Sequence, residues 1–166
     1  EWIGVRPGSD GLFILALIHE LLRAGKVDAK YLARYTNSSW LVIDAPGTAD
    51  DGLFARDEAG APLCWDRLSD GFADPGSGDV EPTLKGTRIL PDGRKARPSF
   101  EILAARYLDQ KYAPDAVAER CGIPAETIKR IAAELAHVAF EEEIVIDQPW
   151  TDWTGRRHDQ MIGRPV

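Results

Sequence analysis

Cysteine is scarce in this sequence, since only Cys64 and Cys121 occur among its 166 residues. Two cysteines so far apart are too few for a disulfide framework or for a metal site built from cysteine. We therefore interpret both as small buried hydrophobic residues. Their scarcity does not decide the redox compartment.

Basic residues are in the minority, with 20 Lys and Arg against 27 Asp and Glu and a net charge of −7. This balance argues against a nucleic-acid partner bound through its phosphates. Long apolar runs are also lacking. The longest, over residues 12–22, is too short to span a bilayer, so we expect no direct membrane insertion.

Several motifs of catalysis are missing as well. The sequence has no G-x-G-x-x-G fingerprint, no G-x-x-x-x-G-K-[ST] loop, no H-E-x-x-H and no G-x-S-x-G. It therefore holds no self-contained catalytic set. Any chemistry would depend on a bound group or on residues outside this chain.

What is present suits one α/β domain over residues 1–166, because 44% of the residues are apolar and 28% are charged. We expect helices to flank a short, mostly parallel sheet in three layers, α/β/α. Helical spacing of apolar residues and turn signals predict these elements. Helices are expected over residues 11–24, 28–35, 100–110, 114–121 and 124–138, and strands over residues 39–43 and 144–146.

Residues 44–98 differ in composition from the rest of the chain, with recurrent Pro, Gly and Asp and only brief apolar stretches. We interpret them as a loop-rich insertion that contains a β-hairpin, residues 52–55 against 62–65. Residues 70–82 are rich in acidic residues and glycine, and we expect them to form a surface excursion. Such an insertion either shapes an entrance or interface or is simply solvated.

The most informative stretch is Arg6-Pro7-Gly8-Ser9-Asp10, which an apolar helix follows directly. Gly8, Ser9 or Asp10 can cap that helix, because Ser and Asp side chains satisfy free N–H groups at a helix start. A helix N-terminus beside an arginine is a site for phosphate or another anion. The alternative is an ordinary strand-to-helix turn.

Two motifs in this order resemble those of the molybdopterin oxidoreductases of the dimethyl sulfoxide reductase type. The first is R-P-G-S-D-G at residues 6–11, with the apolar helix behind it and Y-L-A-R-Y-T at residues 31–36. The second runs from Y-A-P-D at residues 112–115 through G-I-P-A-E at residues 122–126. The family pattern is R-P-G-T-D, and Ser9 keeps the hydroxyl of that Thr.

The resemblance implies that the first motif binds the guanosine end of a bis-molybdopterin guanine dinucleotide that carries molybdenum or tungsten. It implies cofactor-binding roles for Arg6, Pro7, Gly8, Ser9 and Asp10. Gly8 would allow close backbone approach, Ser9 would donate a hydrogen bond, and Asp10 would accept from the guanine N1 and N2 donors. Arg6 would contact phosphate or the protein frame.

The resemblance further implies a fragment of the catalytic subunit of such an oxidoreductase, which the absence of an initial Met also favours. The metal ligand would lie outside this chain. Expected partners are the rest of the catalytic subunit, an iron–sulfur electron-transfer subunit and a small substrate that undergoes two-electron redox. An iron–sulfur cluster would lie elsewhere in the chain or complex. The family occurs on both sides of the bacterial inner membrane, so the compartment stays open.

Two other functions remain as alternatives. One is a non-catalytic α/β protein-interaction module. The other is a DNA-binding helix-turn-helix over residues 117–131. Between residues 113 and 139, however, four acidic residues outnumber three Lys and Arg, whereas a recognition helix needs a basic surface. We interpret this helix pair as structural.

Residues 148–159 hold two Trp, one His, two Arg and two Asp. They could line a cleft for an anionic substrate. We prefer the alternative of a loop anchored by its tryptophans, because the spacing fits no metal site or catalytic triad. His19, within the first helix, is interpreted as a hydrogen-bonded core histidine rather than a ligand.

Overall fold

Five α-helices occupy the segments where apolar periodicity predicts them. The computed structural model describes residues 2–163, and these form two units, residues 2–26 with 107–163 and Val27–Arg106. Within the described residues the helices are α1 Asp10–Arg23, α2 Ala29–Tyr35, α3 Ser99–Tyr107, α4 Pro114–Cys121 and α5 Ala125–Glu141. The strands are β1 Leu41–Asp44, β2 Cys64–Asp66, β3 Gly71–Ala73, β4 Arg88–Ile89, β5 Lys95–Pro98, β6 Ile144–Ile146, β7 Trp150–Thr151, β8 Arg157–His158 and β9 Met161–Gly163.

The core of the first unit lies between α1, α4 and α5. Apolar residues spaced three or four apart turn one face of each helix inward. The buried members of this cluster are Ala16, Leu17, Val117, Cys121, Ile123, Ile128 and Ala132. Pro114 begins α4 in a position where its missing N–H is not needed. The α4–α5 pair is thus part of a helical core, as the structural interpretation predicts.

Helix α1 departs from one prediction. An almost wholly apolar helix is expected to pack against a covered sheet, but α1 packs on α4 and α5, and Ile14 is 50% exposed. His19 is buried, and its Nδ1 donates to the carbonyl oxygen of Tyr107 at 2.9 Å, since a carbonyl can only accept. The interpretation of His19 as a hydrogen-bonded core residue is confirmed.

Strand β6 pairs antiparallel with β9, with Val145 opposite Ile162. The sequence predicts that β6 is covered on both faces, because it is apolar at every position. Within the described residues it is not, since Ile144, Val145 and Ile146 are each about half exposed.

The second unit is built on a three-stranded sheet in the order β1-β5-β4, with Leu41 opposite Pro98. Its buried residues are Leu41, Ile43, Ala55, Leu90 and Ala96. The predicted hairpin is confirmed, because Leu63 N donates to Ala55 O and Arg56 forms an antiparallel β-bridge with Pro62. The predicted surface excursion is partly wrong, because β3 lies within it and pairs with β2.

The predicted insertion, residues 44–98, lies within the second unit, and the single-domain organisation stays a prediction. All strand pairings among residues 2–163 are antiparallel, and β4 reaches β5 by a tight turn at residues 91–93. A parallel pair would need a long crossover instead. The predicted mostly parallel sheet is therefore not found among these pairings, and the three-layer arrangement stays a prediction.

None of the described helices has the length and apolar character that a membrane crossing requires.

Candidate functional site

The R-P-G-S-D segment forms a tight turn immediately before α1. Ser9 N donates to Arg6 O at 3.1 Å, which closes the turn with Pro7 and Gly8 at its centre. Gly8 has φ +81°, the left-handed conformation that a type II turn requires at this position. Pro7 pre-sets the backbone for the preceding position. The local sequence therefore specifies the turn.

No side chain of the described residues caps the start of α1. Ser9 occupies the N-cap position, but its hydroxyl donates to Arg6 O at 2.6 Å and makes no cap hydrogen bond. The Ser9 proton is thus used within the turn, and the hydroxyl oxygen is left to accept rather than donate toward a ligand. Without a cap, the positive end of the helix dipole faces solvent or a ligand.

Helix α4 holds this turn from behind. Arg6 N donates to Cys121 O at 2.9 Å, and the Cys121 thiol lies 3.8 Å from Ser9 O. Gly122 ends α4 with φ +71°, and a Cβ there would lie 3.7 Å from the Arg6 Cβ. The C-terminal end of α4 and the turn before α1 are therefore one packed arrangement.

A shallow cavity of about 330 Å³ opens beside the turn. Its lining residues are Arg6, Pro7, Gly8, Ser9, Leu12 and Arg120. The structure thus brings four of the five predicted site residues to one cavity. Asp10 is exposed directly after them and is not part of the lining.

Leu12 and Arg120 are the lining residues that sequence reasoning missed. Arg120 is the charged one of the two, and it was missed because the helix pair that contains it was interpreted as structural. The available signal was its position directly before C-G-I-P in the second motif. That signal has meaning only once the two motifs are known to touch.

The cavity carries positive charge. Among the described residues, neither Arg6 nor Arg120 has an ion pair or a side-chain hydrogen bond, and the lining contains no carboxylate. By contrast, Arg23 meets Glu20 and Arg94 meets Asp50 and Asp92. Two unpaired guanidinium groups beside a helix N-terminus form a site for an anion.

The arrangement suits binding rather than catalysis. Among the residues that the structure describes, no His, Lys or carboxylate that could act as a general base lines the cavity beside the Ser9 hydroxyl. Gly8 leaves room for a ligand, because a Cβ at this position would meet no protein atom within 4 Å. An unpaired carboxylate at Asp10, two arginines and an open backbone fit a nucleotide that carries phosphate and a base with N–H donors.

Residues 148–159 form a separate hairpin of strands β7 and β8. Asp152 accepts hydrogen bonds from Thr154 N, Thr154 Oγ1, Arg156 N and His158 Nε2. The Trp150 ring stacks on His158 at 4.6 Å, whereas Trp153 is 97% exposed. These hydrogen bonds hold the pKa of Asp152 well below its usual range. The preferred interpretation, a loop anchored by tryptophan, is confirmed for Trp150 alone.

The chain is similar to known proteins along most or all of its length. It is 39% identical, over its whole length, to a sulfite dehydrogenase subunit of Allochromatium vinosum. It is 28% identical to the alpha chain of the perchlorate reductase of Dechloromonas aromatica over 82% of its length. It is also 28% identical to the major subunit of the nitrate-inducible formate dehydrogenase of Escherichia coli over 90% of its length. No family model matches the chain.

The chain covers 18%, 18% and 14% of the lengths of these three relatives, respectively. All three are molybdopterin oxidoreductases of the dimethyl sulfoxide reductase type. The match to the sulfite dehydrogenase extends over both motifs, which the structure joins at one turn. The chain belongs to the molybdopterin oxidoreductases of the dimethyl sulfoxide reductase type.

Proposed function

We propose that this chain is part of the catalytic subunit of a molybdenum or tungsten oxidoreductase and holds the guanosine end of a bis-molybdopterin guanine dinucleotide. The observation that carries the proposal is the cationic cavity beside the Arg6–Ser9 turn, at the uncapped start of α1. Family membership supplies the cofactor class, and the turn supplies a site that suits a nucleotide.

Each residue of the turn has a proposed role. Gly8 admits the nucleotide close to the backbone, because a Cβ there would occupy the open space beside the cavity. The Asp10 carboxylate accepts from guanine N1 and N2, a donor pair that two carboxylate oxygens match. Ser9 Oγ accepts a hydrogen bond from the nucleoside, since its own proton goes to Arg6 O. Arg6 binds phosphate, and Pro7 keeps the turn in place.

When bound, the metal and pterin supply the two-electron redox chemistry. The residues of this chain orient the cofactor through its nucleotide end. The relatives are named for sulfite, perchlorate and formate, all small oxyanions. We propose a small oxyanion as the substrate of the whole enzyme. The remainder of the catalytic subunit, an iron–sulfur cluster and an electron-transfer subunit are the proposed partners.

The proposal is tested by metal and nucleotide analysis of the full-length enzyme that contains this segment. We expect molybdenum or tungsten, and GMP released on acid hydrolysis, in the parent enzyme. Asp10→Ala should lower both at least several-fold, because the guanine loses its carboxylate partner. Asp147→Ala is the matched control, since Asp147 is also exposed and no hydrogen bond or ion pair of its side chain is found among the described residues.

A parent enzyme with neither metal nor pterin would overturn the oxidoreductase proposal. Equal GMP content in the parent, the Asp10→Ala variant and the control would place the guanosine elsewhere. With neither metal nor pterin in the parent enzyme, the non-catalytic interaction module would be the better hypothesis.

A further inference from the structure

We infer that Arg120, at the end of α4, is a second anion-binding residue of this site and binds the diphosphate of the dinucleotide together with Arg6. The inference rests on the proposed function but adds a residue and a chemical group to it. It assigns to α4 a binding role that neither the helical pattern nor the turn motif indicates.

The position of Arg120 follows from the packing between α4 and the turn. Cys121 O accepts from Arg6 N, so the backbone on which Arg120 lies is held against the turn. Arg120 comes one residue before this contact and lines the same cavity as Arg6. Two arginines distant in the sequence therefore line one opening.

This convergence of like charge has no counter-ion among the described residues. Neither guanidinium group makes an ion pair or a side-chain hydrogen bond there, and no lining residue is acidic. Some other arginines of this acidic chain meet carboxylates, for example Arg67 with Glu81, Arg97 with Asp44 and Arg130 with Glu134. Two like charges that share a cavity repel each other, and a bound anion removes that repulsion.

The chemistry of the cavity favours a diphosphate over a nucleoside alone. A nucleoside is uncharged and therefore cannot neutralise two guanidinium groups. A diphosphate that links two groups carries about two negative charges and presents oxygen pairs to guanidinium forks. One ribose separates the base from the diphosphate in a dinucleotide, and Asp10 follows the lining residue Ser9 directly in the sequence.

A structural role for Arg120 is the competing explanation, because a basic residue in the last turn of a helix also stabilises the helix dipole. The two roles differ in what they predict. If Arg120 only stabilises the helix dipole, its replacement lowers the stability of α4 and changes the affinity for all ligands equally. A diphosphate role affects only ligands that carry phosphate.

The test uses the full-length enzyme prepared without its cofactor, titrated separately with GDP and with guanosine by isothermal titration calorimetry. We expect the wild-type protein to bind GDP more tightly than guanosine. Arg120→Gln should weaken GDP binding about tenfold and leave guanosine binding unchanged. The GDP affinity of Arg120→Lys should lie between those of the wild type and Arg120→Gln, because lysine keeps the charge but lacks the planar guanidinium group. Arg106→Gln, an exposed arginine of α3 without an ion pair among the described residues, is the control.

Several results would overturn the inference. These are equal GDP affinity in wild type and Arg120→Gln, an equal loss for GDP and guanosine, or a wild-type preference for guanosine. Asp10→Ala separates this inference from the proposed function, because it should weaken both ligands. If Asp10→Ala weakens both and Arg120→Gln weakens neither, only the role of Arg120 fails. If neither variant changes either affinity, both proposals fail. If Arg120→Gln does not fold, the GDP and guanosine affinities of Arg120→Lys are compared with those of the wild type instead, and equal GDP affinity would overturn the inference.

Discussion

The backbone N–H of Arg6 donates to the carbonyl oxygen of Cys121 at 2.9 Å. This bond joins the two family motifs, one in each of the two chain segments that make up the first unit. Cys121 lies in the last turn of α4, where carbonyl groups lack helical partners, so the turn satisfies a group that would otherwise be free. The contact explains in physical terms why the two motifs act as one structural feature.

Gly122→Ala should destabilise this contact. Gly122 has φ +71°, and an alanine in the left-handed region costs about 1–2 kcal/mol. The Cβ itself would find ordinary space, at 3.7 Å from the Arg6 Cβ, so the cost is conformational rather than steric. Native-state hydrogen exchange of α4 amides measures the loss of free energy of opening.

Gly122→Asn serves as the matched variant, because asparagine tolerates the left-handed conformation better than alanine. Gly122→Asn should therefore lose less free energy of opening than Gly122→Ala. Gly78→Ala is the control, since Gly78 has no left-handed φ and open space for a Cβ. An equal loss for Gly122→Ala and Gly78→Ala would contradict the conformational argument.

Cys64 should react slowly with alkylating reagents in the folded protein. Burial raises the pKa of its thiol from 9.0 to about 11. Only the thiolate reacts, so at pH 8 this shift alone slows alkylation about 100-fold relative to the unfolded chain. Iodoacetamide labelling of the Cys64 peptide, followed by mass spectrometry with and without denaturant, measures the ratio. Equal rates in the two conditions would contradict the prediction.

Asp66 should control the stability of residues 66–81. Its side chain is 3% exposed and accepts from Leu68 N, Ser69 N, Ser69 Oγ and Glu81 N. The Ser69 hydroxyl and the Glu81 N–H are the main causes that hold the pKa of Asp66 well below 3.8. Because the folded pKa lies below the unfolded value, this contribution is present above about pH 4. It is lost as the pH falls further toward the folded pKa.

Pepsin cleavage within residues 66–81, followed from pH 5 downward, measures this loss. The wild-type segment should become steadily more susceptible below pH 4. Asp66→Asn should be susceptible at every pH, because an amide offers one acceptor oxygen where the carboxylate uses two. Asp79→Asn, an exposed aspartate of the same segment, should match the wild type. A pH profile shared by all three proteins would refute the role of Asp66.

Asp152→Ala should loosen the hairpin of β7 and β8. The variant removes the acceptor of two backbone N–H groups, at Thr154 and Arg156, and the partner of His158. Hydrogen exchange of those two amides should quicken at least tenfold at pH 7. Asp159→Ala, at an exposed aspartate just beyond β8, should leave both amides unchanged. Unchanged exchange in Asp152→Ala would show that the strands hold the hairpin without it.

The fold of local segments was predictable from sequence wherever neighbouring residues decide it. Apolar spacing places α5, Pro114 begins α4, and Asp28 caps α2 by accepting from Tyr31 N. Turn chemistry predicts the hairpin around residues 57–60. Strand β3 was missed because its three residues, Gly-Phe-Ala, are too few to show alternation, although only residues 67–70 separate it from β2.

The apolar run of β6 still predicts a strand covered on both faces, although the described residues leave it half exposed. We propose that segments of the longer catalytic subunit cover it and complete the three-layer arrangement. The local pattern predicts that both faces are covered, but it does not specify which distant residues cover them.

By itself, the sequence determined the turn before α1, the helices and the family resemblance, because each depends on residues close together in the chain. Tertiary structure decided that α4 lies behind the turn, that the Ser9 proton goes to Arg6 O, and that Arg120 shares a cavity with Arg6. These features arise from packing between residues distant in the sequence. The types and spacing of side chains along one segment do not specify that packing.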